Sequence, residues 1–219
     1  MLTAHLEAVA YIATVFAAYL LGSLPTGYLV GRLRGVDVRS SGSGNIGATN
    51  AFRVLGKWAG AAVLIIDGLK GYTAAAWLSL LIAHFFPGAD LVYLSLVAGV
   101  AAVLGHNYTC WLRFKGGKGI ATSAGVVWAW SPWACVTAVV VWVAVAAATR
   151  YVSVASLAGA FALPIAVWFT THNPPKTVMM CVLSVMAIYK HRGNIRRLRD
   201  GTENRLGAGR STAQNASKQ

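Results

Sequence analysis

The sequence predicts an all-α integral membrane protein with about seven transmembrane helices, and three observations indicate this fold class. Hydrophobic residues make up 57% of the 219 residues and charged residues only 11%, less than half the share of a typical soluble domain. The apolar residues come in long unbroken runs rather than in amphipathic stripes, which is typical of segments that face lipid. Basic residues gather in alternate loops between these runs, as they do in multi-spanning membrane proteins.

Seven apolar segments follow one another along the chain, and most are long enough to cross a bilayer. A straight span needs about 20 residues, so the fourth segment is short for a full crossing. Gly22, Pro25 and Gly27 interrupt the first segment, and such residues are tolerated in membranes where neighbouring groups satisfy the freed backbone. No Lys or Arg precedes the first run, which is too long for a signal-peptide core, so we expect it to remain as the first span. The segments lie at roughly 7–31, 57–84, 90–108, 119–131, 133–149, 151–171 and 175–190.

The distribution of basic residues predicts the orientation. Of the 19 Lys and Arg residues, all but Lys70 and Lys176 lie in four segments, at 32–57, 113–118, 150 and 190–218. The positive-inside rule assigns these segments to the cytoplasm, which gives an N-terminus outside and a C-terminus inside. Topology therefore accounts for the net charge of +13 without a nucleic-acid partner. We expect one polytopic domain over residues 1–206 and a disordered, basic polar tail over 207–219.

The first polar loop combines glycines with short hydrogen-bonding side chains. Gly42, Gly44 and Gly47 form a G-x-G-x-x-G pattern with Asp67 twenty residues later, but the strand of a dinucleotide-binding unit is missing. Successive small residues let backbone N–H groups form an anion-binding concavity, and Arg53 adds a bidentate phosphate fork. A flexible loop with an interfacial arginine is the alternative. The neutral polar groups that favour anion binding are Ser43, Asn45, Thr49 and Asn50.

The second polar loop places two lysines around a glycine turn. Lys115 and Lys118 flank Gly116 and Gly117, and Gly119 follows. The pattern is not a Walker A loop, because it has neither the spaced upstream glycine nor the following Ser or Thr. A glycine turn with two ammonium groups still suits a phosphate monoester. His106, just upstream, is either catalytic or a structural hydrogen-bond partner at a helix end.

The third polar segment follows the last span, and the second span carries two charges. His191 and Asn194 are three residues apart and share one face of a helix, whereas the arginines beside them have the character of lipid headgroup contacts. Charges at membrane depth are usually paired or functional. We therefore interpret Asp67 and Lys70, three residues apart within the second span, as a mutual structural pair.

Together the three segments resemble the acyl-phosphate:glycerol-3-phosphate acyltransferase family of bacterial inner membranes (PlsY). SGSGNIGATN with Arg53 matches the first family motif, GHNY followed by FKGGKGIAT the second, and HR-x-NI-x-RL-x-x-G-x-E the third. The resemblance covers nearly the whole chain. It implies transfer of a fatty acyl group from acyl phosphate to the 1-hydroxyl of sn-glycerol 3-phosphate, the first acylation of phospholipid synthesis. The products are lysophosphatidic acid and inorganic phosphate, and neither a metal nor a cofactor is required.

The resemblance also assigns roles to residues. Ser43, Arg53, His191 and Asn194 carry over as catalytic, the lysines and glycines of the second motif as phosphate-binding, and Glu203 as structural. Ser156 resembles a position that helps to hold glycerol phosphate. We expect Ser43, Asn45 and Thr49 to cradle the acyl phosphate, and Arg53 and the lysines to clamp glycerol phosphate. His191 and Asn194 would orient its hydroxyl, whose proton goes either to His191 or to the phosphate of the substrate.

Other classes of protein fit the sequence less well. The chain has no H-x-x-x-x-D pair of another acyltransferase class and no G-x-S-x-G of a serine hydrolase. A transporter of organic phosphates remains an alternative, although repeat symmetry is missing, and a purely structural lipid-binding protein is another. Cys110, Cys135 and Cys181 form no C-x-x-C pair, so we interpret them as small core residues. We expect a monomer surrounded by membrane phospholipids.

Overall fold

The computed structural model describes residues 2–207, with side chains from residue 5 onward. Apart from Gly207, the predicted disordered tail lies outside the described residues. A π-helical turn at Thr73–Leu78 joins α4 to α5, and a short 3-10 turn at Cys110–Leu112 follows α6. The α-helices are α1 Leu2–Ser23, α2 Thr26–Arg32, α3 Ala48–Leu55, α4 Lys57–Tyr72, α5 Ser79–Phe85, α6 Leu91–Asn107, α7 Ile120–Trp130, α8 Pro132–Thr149, α9 Val152–Thr171, α10 Pro174–Lys190 and α11 Arg192–Arg199.

The helices have the lengths and surfaces of a multi-pass integral membrane protein. Ile120–Trp130, the short fourth segment of the prediction, is an apolar helix of 11 residues, and α10 has 17. Large apolar side chains are exposed on the outer faces of the helices; Ile12, Trp133 and Phe161, for example, are 69%, 74% and 71% exposed. Outer faces of this kind are matched by lipid rather than by water. Five stretches are long and apolar enough to span a bilayer: His5–Arg32, Lys57–Phe85, Leu91–Leu112, Pro132–Thr149 and Val152–Thr171.

The first apolar segment is two helices rather than one. The chain breaks between α1 and α2 at Leu24 and Pro25, where the proline cannot donate a helical hydrogen bond. The Lys70 ammonium of α4 donates a hydrogen bond of 2.9 Å to the Leu24 carbonyl oxygen, so a neighbouring helix satisfies the freed backbone group. Pro164, by contrast, lies inside α9 without ending it.

Glycines allow two pairs of helices to pack with their backbones in contact. Gly22 and Gly105 lie between α1 and α6, and Gly71 and Gly125 lie between α4 and α7. An added Cβ at each of these glycines would lie between 1.9 and 2.2 Å from a backbone oxygen of the partner helix. Small residues are the usual means of close helix approach in membranes, where the hydrophobic effect does not drive helices together. The contacts at Gly71 and Gly125 hold α7 against α4, although α7 is short.

A buried ion pair lies where α4 meets α6. The Lys70 ammonium is 2.9 Å from the Asp67 carboxylate, and the two side chains are 4% and 2% exposed. His106 Nδ1 of α6 lies 3.6 Å from the same carboxylate oxygen. Because Lys70 also contacts Leu24, this cluster connects α1, α4 and α6 beneath the polar loops.

Candidate active site

One cavity of about 380 Å³ joins the three polar segments to the apolar interior. Its polar end is formed by the loop before α3, the turn before α7 and the start of α11. Its apolar part runs between α7, α8, α9 and α10. The predicted site residues that line it are Ser43, Asn45, Gly47, Thr49, Asn50, Arg53, Lys118, Gly119, Ser156, His191, Asn194 and Glu203.

The Asn50 side chain organises the first loop. Its carbonyl oxygen accepts a hydrogen bond from the Ser43 N–H at 2.7 Å. Its amide nitrogen donates to the carbonyl oxygens of Val38 and Asn45, both at 2.8 Å, and of Ser41 at 3.1 Å. Both polar ends of this buried amide are thus used within the loop. This differs from the phosphate-binding role that the sequence suggested for Asn50, and it gives Asn50 the task of holding Ser43 at the cavity wall.

The remaining residues of the first loop divide into those that shape it and those that face the cavity. Gly42 and Gly44 have φ angles of +63° and +70°, a conformation that glycine adopts without strain, and they do not line the cavity. Gly47 precedes α3, which begins at Ala48. Asn45 uses its side-chain oxygen to accept from the Gly47 N–H at 2.8 Å.

Arg53 of α3 presents a guanidinium group to the cavity. Among the described residues, no acceptor lies within hydrogen-bonding distance of it and no carboxylate forms an ion pair with it. Burial, and to a lesser extent the positive charge of Arg197, lowers the pKa of Arg53, and arginine nevertheless stays protonated in proteins. This side chain therefore retains its bidentate fork for an anion.

The glycines of the second motif pack against the end of α6. The Gly116 N–H donates to the Asn107 carbonyl oxygen at 3.2 Å, and the Gly117 N–H donates to that of His106 at 2.9 Å. An added Cβ at Gly117 would lie 2.0 Å from His106 Nε2. These N–H groups are thus occupied, which differs from the phosphate cradle that the sequence suggested. Both roles need small residues, so composition could not distinguish them.

The two lysines of this motif have different surroundings. Lys118 lines the cavity and donates a hydrogen bond to the side-chain oxygen of Asn194. Lys115 is exposed and does not line the cavity. Burial, opposed in part by Glu203 and reinforced by Arg197, Arg53 and Lys190, lowers the pKa of Lys118 to about 8. Of the two predicted lysines, only Lys118 is in reach of a ligand in the cavity.

Asn194 connects the second motif to a buried carboxylate. While its oxygen accepts from Lys118, its amide nitrogen donates to Glu203 Oε1 at 2.7 Å. Glu203 Oε2 in turn accepts from Arg197 Nε at 2.8 Å. The result is a chain of contacts, Lys118–Asn194–Glu203–Arg197, that fixes the position of the lysine. Arg197 is the residue that sequence reasoning missed, since it stands among exposed arginines and its only signal is a glutamate six residues later.

His191 is a neutral imidazole with one nitrogen committed. Its Nδ1 lies 2.7 Å from the Ala187 carbonyl oxygen, which can only accept, so this nitrogen carries the proton and Nε2 is the acceptor. Burial, followed by the charge of Lys118, lowers the pKa of His191 to about 4. The ring is therefore uncharged near neutral pH, and Nε2 is a hydrogen-bond acceptor at the wall of the cavity.

Further along the cavity, polar groups give way to apolar ones. Ser156 of α9 is buried and its hydroxyl accepts a hydrogen bond of 3.3 Å from the indole of Trp142. Asp67, which the sequence placed in a structural pair, and His106, for which the sequence left a catalytic role open, also contribute to the wall. The fold and the cavity thus define a multi-pass membrane protein with a cationic chamber that continues into an apolar tunnel.

Comparison with known proteins identifies the family of this membrane protein. Residues 12–201 match the family model described as glycerol-3-phosphate acyltransferase. The glycerol-3-phosphate acyltransferase of Geobacter sulfurreducens is 47% identical over 191 residues, which is 87% of this chain and 95% of the relative. That of Geotalea daltonii is 44% identical, over 88% of this chain and 96% of the relative.

Solved structures agree with the sequence relatives. A crystal structure of PlsY (YgiH), an integral membrane glycerol 3-phosphate acyltransferase, in its glycerol 3-phosphate form is 39% identical, with a TM-score of 0.81 over 95% of this chain and 99% of that chain. The lysophosphatidic acid form of PlsY is 40% identical, with a TM-score of 0.79 over 90% of this chain and 95% of that chain. This chain belongs to the PlsY family of integral membrane glycerol-3-phosphate acyltransferases. The family resemblance that the three motifs indicated is confirmed.

Proposed function

We propose that the enzyme transfers a fatty acyl group from acyl phosphate to the 1-hydroxyl of sn-glycerol 3-phosphate and releases lysophosphatidic acid and inorganic phosphate. The observation that carries this proposal is the continuity of a cationic chamber with an apolar tunnel in a single cavity. A reaction between a phosphorylated lipid chain and a phosphorylated alcohol requires both environments next to each other. The forms in which PlsY was solved, with glycerol 3-phosphate and with lysophosphatidic acid, are the acceptor and the product of this reaction.

Two anions would share the cationic chamber. Arg53 and Lys118 would clamp the phosphate of glycerol 3-phosphate, and Ser156 would contact the same substrate deeper in the cavity. Ser43, Asn45 and Thr49 would cradle the acyl phosphate on the opposite wall. Lys115, which is exposed outside the cavity, would act on these anions only through long-range attraction, which salt screens.

The chemical step would be a direct displacement. The 1-hydroxyl oxygen attacks the acyl carbonyl carbon, the bond between that carbon and the phosphate oxygen breaks, and the hydroxyl proton ends on the released phosphate. Because the donor is already activated, neither a metal nor a cofactor is needed, and catalysis would rest on positioning and on stabilising the departing charge.

His191 and Asn194 would orient the attacking hydroxyl. The low pKa of His191, about 4 as a result of burial and the Lys118 charge, makes its imidazole a weak base. A phosphate monoester, with a second pKa near 6, is the stronger base of the two. This favours the phosphate as the proton acceptor and His191 as a hydrogen-bonding partner. Near-normal turnover in His191→Gln would exclude His191 as the base. A loss of turnover by several orders of magnitude would support His191 as the base.

We also propose the placement of the molecule in the cell. The apolar segments predict seven spans, and the basic residues predict an N-terminus outside and a site on the cytoplasmic side. On this proposal the membrane is the bacterial inner membrane, residues 1–206 form one domain among phospholipids, and residues 207–219 form a separate tail. We propose that the enzyme acts as a monomer.

The direct test is turnover by the purified protein in lipid. Acyl phosphate and glycerol 3-phosphate should yield inorganic phosphate and lysophosphatidic acid in equal amounts, acyl-CoA should not replace the donor, and Arg53→Ala should abolish both products. Phosphate release without acylated product would indicate a phosphatase. Uptake of glycerol phosphate into sealed vesicles without turnover would indicate a transporter.

A further inference from the structure

The apolar part of the cavity has a measurable depth along α9. The side chains of α9 that line it recur every three or four residues, from Ser153 through Ser156, Gly159 and Ala160 to Leu163. A helix rises about 1.5 Å per residue, so Leu163 lies about 15 Å further along the axis than Ser153. The cavity therefore continues well beyond the chamber in which the reaction takes place.

Three side chains close the far end. Cys135 of α8 and Met180 of α10 line the cavity and belong to the main hydrophobic core, and Leu163 of α9 lines the cavity and packs against that core. Met180 is 1% exposed. Each of the three lies toward the end of its helix that is remote from the polar motifs. Trp130 and Val167 fill the core around these residues, so the tunnel has a floor of packed side chains.

Halfway down, Gly159 keeps the tunnel open. An added Cβ at this position would have its nearest neighbours at 3.7 Å and 4.0 Å, on Ala138 and Trp142. These are ordinary van der Waals distances, in contrast to the overlaps at Gly71 and Gly125 between packed helices. Helix packing thus does not demand a glycine at 159, and its missing side chain leaves space inside the cavity.

The tunnel is open to lipid at the side but closed at its floor. Leu64, Val139 and Val143 line it and are 54%, 50% and 54% exposed on the outer surface. A lipid chain can enter between α4 and α8 at this level. Its terminal part then meets Cys135, Leu163 and Met180, and a longer chain has to bend back toward the opening.

We propose that Leu163 and Met180, with Cys135, set the length of acyl chain that the enzyme prefers, and that Gly159 gives the chain access to this floor. The inference rests on the proposed function, in which the tunnel holds the acyl chain of the donor. Lipid and tunnel are both apolar, so the preference arises from steric overlap of long chains with the floor. An overpacking cost of about 1–3 kcal/mol corresponds to a fall in kcat/KM of about 5- to 150-fold for chains that are too long. The length preference should therefore follow the depth of the floor.

The test is a profile of kcat/KM for saturated acyl phosphates from decanoyl to octadecanoyl, measured in wild type and in variants. Gly159→Leu blocks the tunnel at mid-depth and should shift the optimum to shorter chains, with kcat/KM for the longest substrates falling about tenfold relative to the shortest because of steric overlap. Met180→Ala deepens the floor and should shift the optimum to longer chains. The KM for glycerol 3-phosphate should stay unchanged in Met180→Ala, since Met180 lies at the floor and away from the cationic chamber.

Matched controls make the same size changes on lipid-facing surfaces. Phe161→Ala removes a large side chain from α9, and Ala147→Leu adds one at an exposed position of α8. Neither residue lines the cavity. Both should keep the wild-type profile. If Gly159→Leu does not fold, Gly159→Ala takes its place in the test, because the cavity has room for the added Cβ. Gly159→Ala should shift the length profile in the same direction but by less.

The outcomes separate the inference from the proposed function. Turnover of acyl phosphate with one and the same length profile in wild type, Gly159 variants and Met180→Ala would overturn the inference and leave the proposed function intact. A wild type that does not turn over acyl phosphate at all would overturn both. Opposite shifts in the Gly159 and Met180 variants, without shifts in the controls, are the expected result.

Discussion

At the scale of single residues, the amide of Asn194 is the point where two distant motifs meet. It accepts from Lys118 and donates to Glu203, and Glu203 is held in turn by Arg197. An amide can accept through its oxygen and donate through its nitrogen at the same time. The position of the Lys118 ammonium therefore depends on the side chains of Asn194, Glu203 and Arg197.

Replacing Asn194 by alanine tests this connection. Because hydrogen bonds to charged groups contribute about 1.5–3 kcal/mol, we expect kcat/KM for glycerol 3-phosphate to fall about 10- to 100-fold. The measurement is steady-state turnover in lipid. Arg199→Ala, an exposed change on the same helix, is the control and should stay near wild type. Equal activities of the two variants would contradict the assignment.

The pKa of Lys118 predicts how activity depends on pH. Burial lowers this pKa to about 8, so the charged form that attracts phosphate is present below that pH and is lost as the pH rises through it. We expect kcat/KM for glycerol 3-phosphate, which reports the free enzyme, to decline above about pH 8. In Lys118→Arg the decline should disappear, because a guanidinium does not deprotonate in this range.

Lys115→Arg provides the control for the pH profile. Lys115 is exposed and does not line the cavity, so this variant should retain the wild-type decline. A decline that persists unchanged in Lys118→Arg would assign the titration to another group.

At the scale of helices, close backbone contact makes α4 and α7 act as one unit. Gly125 of α7 lies against Gly68 of α4, and Gly71 of α4 lies against Thr122 of α7. Neither Gly125 nor Gly71 has space for a Cβ. The short α7 is therefore held by contact with α4, and the turn that carries Lys118 leads directly into it. Positioning of the lysine thus depends on helix packing some distance from the cavity.

Gly125→Ala should separate these helices. Overpacking costs about 1–3 kcal/mol, and we expect a lower melting temperature in detergent together with weaker glycerol 3-phosphate binding. The matched control is Gly159→Ala, which has room for its Cβ and gains the small helical preference of alanine over glycine, about 0.5–1 kcal/mol. If Gly125→Ala melted at or above the temperature of Gly159→Ala, the packing argument would be wrong.

The buried Asp67–Lys70 pair makes a second prediction at this scale. Removing one member leaves a charge without its partner, which costs about 3–5 kcal/mol, whereas replacing both members with neutral groups costs much less. We expect Asp67→Asn to lower the free energy of unfolding strongly and Asp67→Asn/Lys70→Met to restore much of it. Unfolding in detergent measures both. A double variant no more stable than the single one would mean that the two charges act separately.

At the scale of the whole molecule, orientation in the membrane decides which compartment supplies the substrates. Gly88 lies in the turn before α6 and Lys115 in the turn after it, so one crossing separates the two. On the proposed orientation, with the basic residues inside, the chamber opens to the cytoplasm.

Cysteine labelling tests the orientation. With Cys110, Cys135 and Cys181 replaced by alanine, Gly88→Cys should react with a membrane-impermeant maleimide in intact spheroplasts. Lys115→Cys should react only after the membrane is permeabilised. Both positions are exposed, so accessibility on the protein itself does not limit either reaction. The reverse pattern would invert the topology.

The sequence by itself determined the membrane class, the positions of the helices and the three motifs. Every predicted apolar segment contains a helix. The membrane class and helix positions are properties of local composition, because a long apolar run partitions into lipid whatever its neighbours are. The ion pair between Asp67 and Lys70 is equally local, three residues apart on one helix.

Only the tertiary structure decided which polar groups share the cavity. Lys115 and Lys118 are close in sequence, yet only Lys118 faces Asn194, which is 76 residues away. The Asn50 amide and the Gly116 and Gly117 N–H groups proved to be used inside the protein, and Arg197 emerged as a partner of Glu203. The floor at Leu163 and Met180 is likewise formed by separate helices. Such contacts depend on how helices pack, and the packing is set by close approach at glycines and by buried hydrogen bonds rather than by the composition of any one segment.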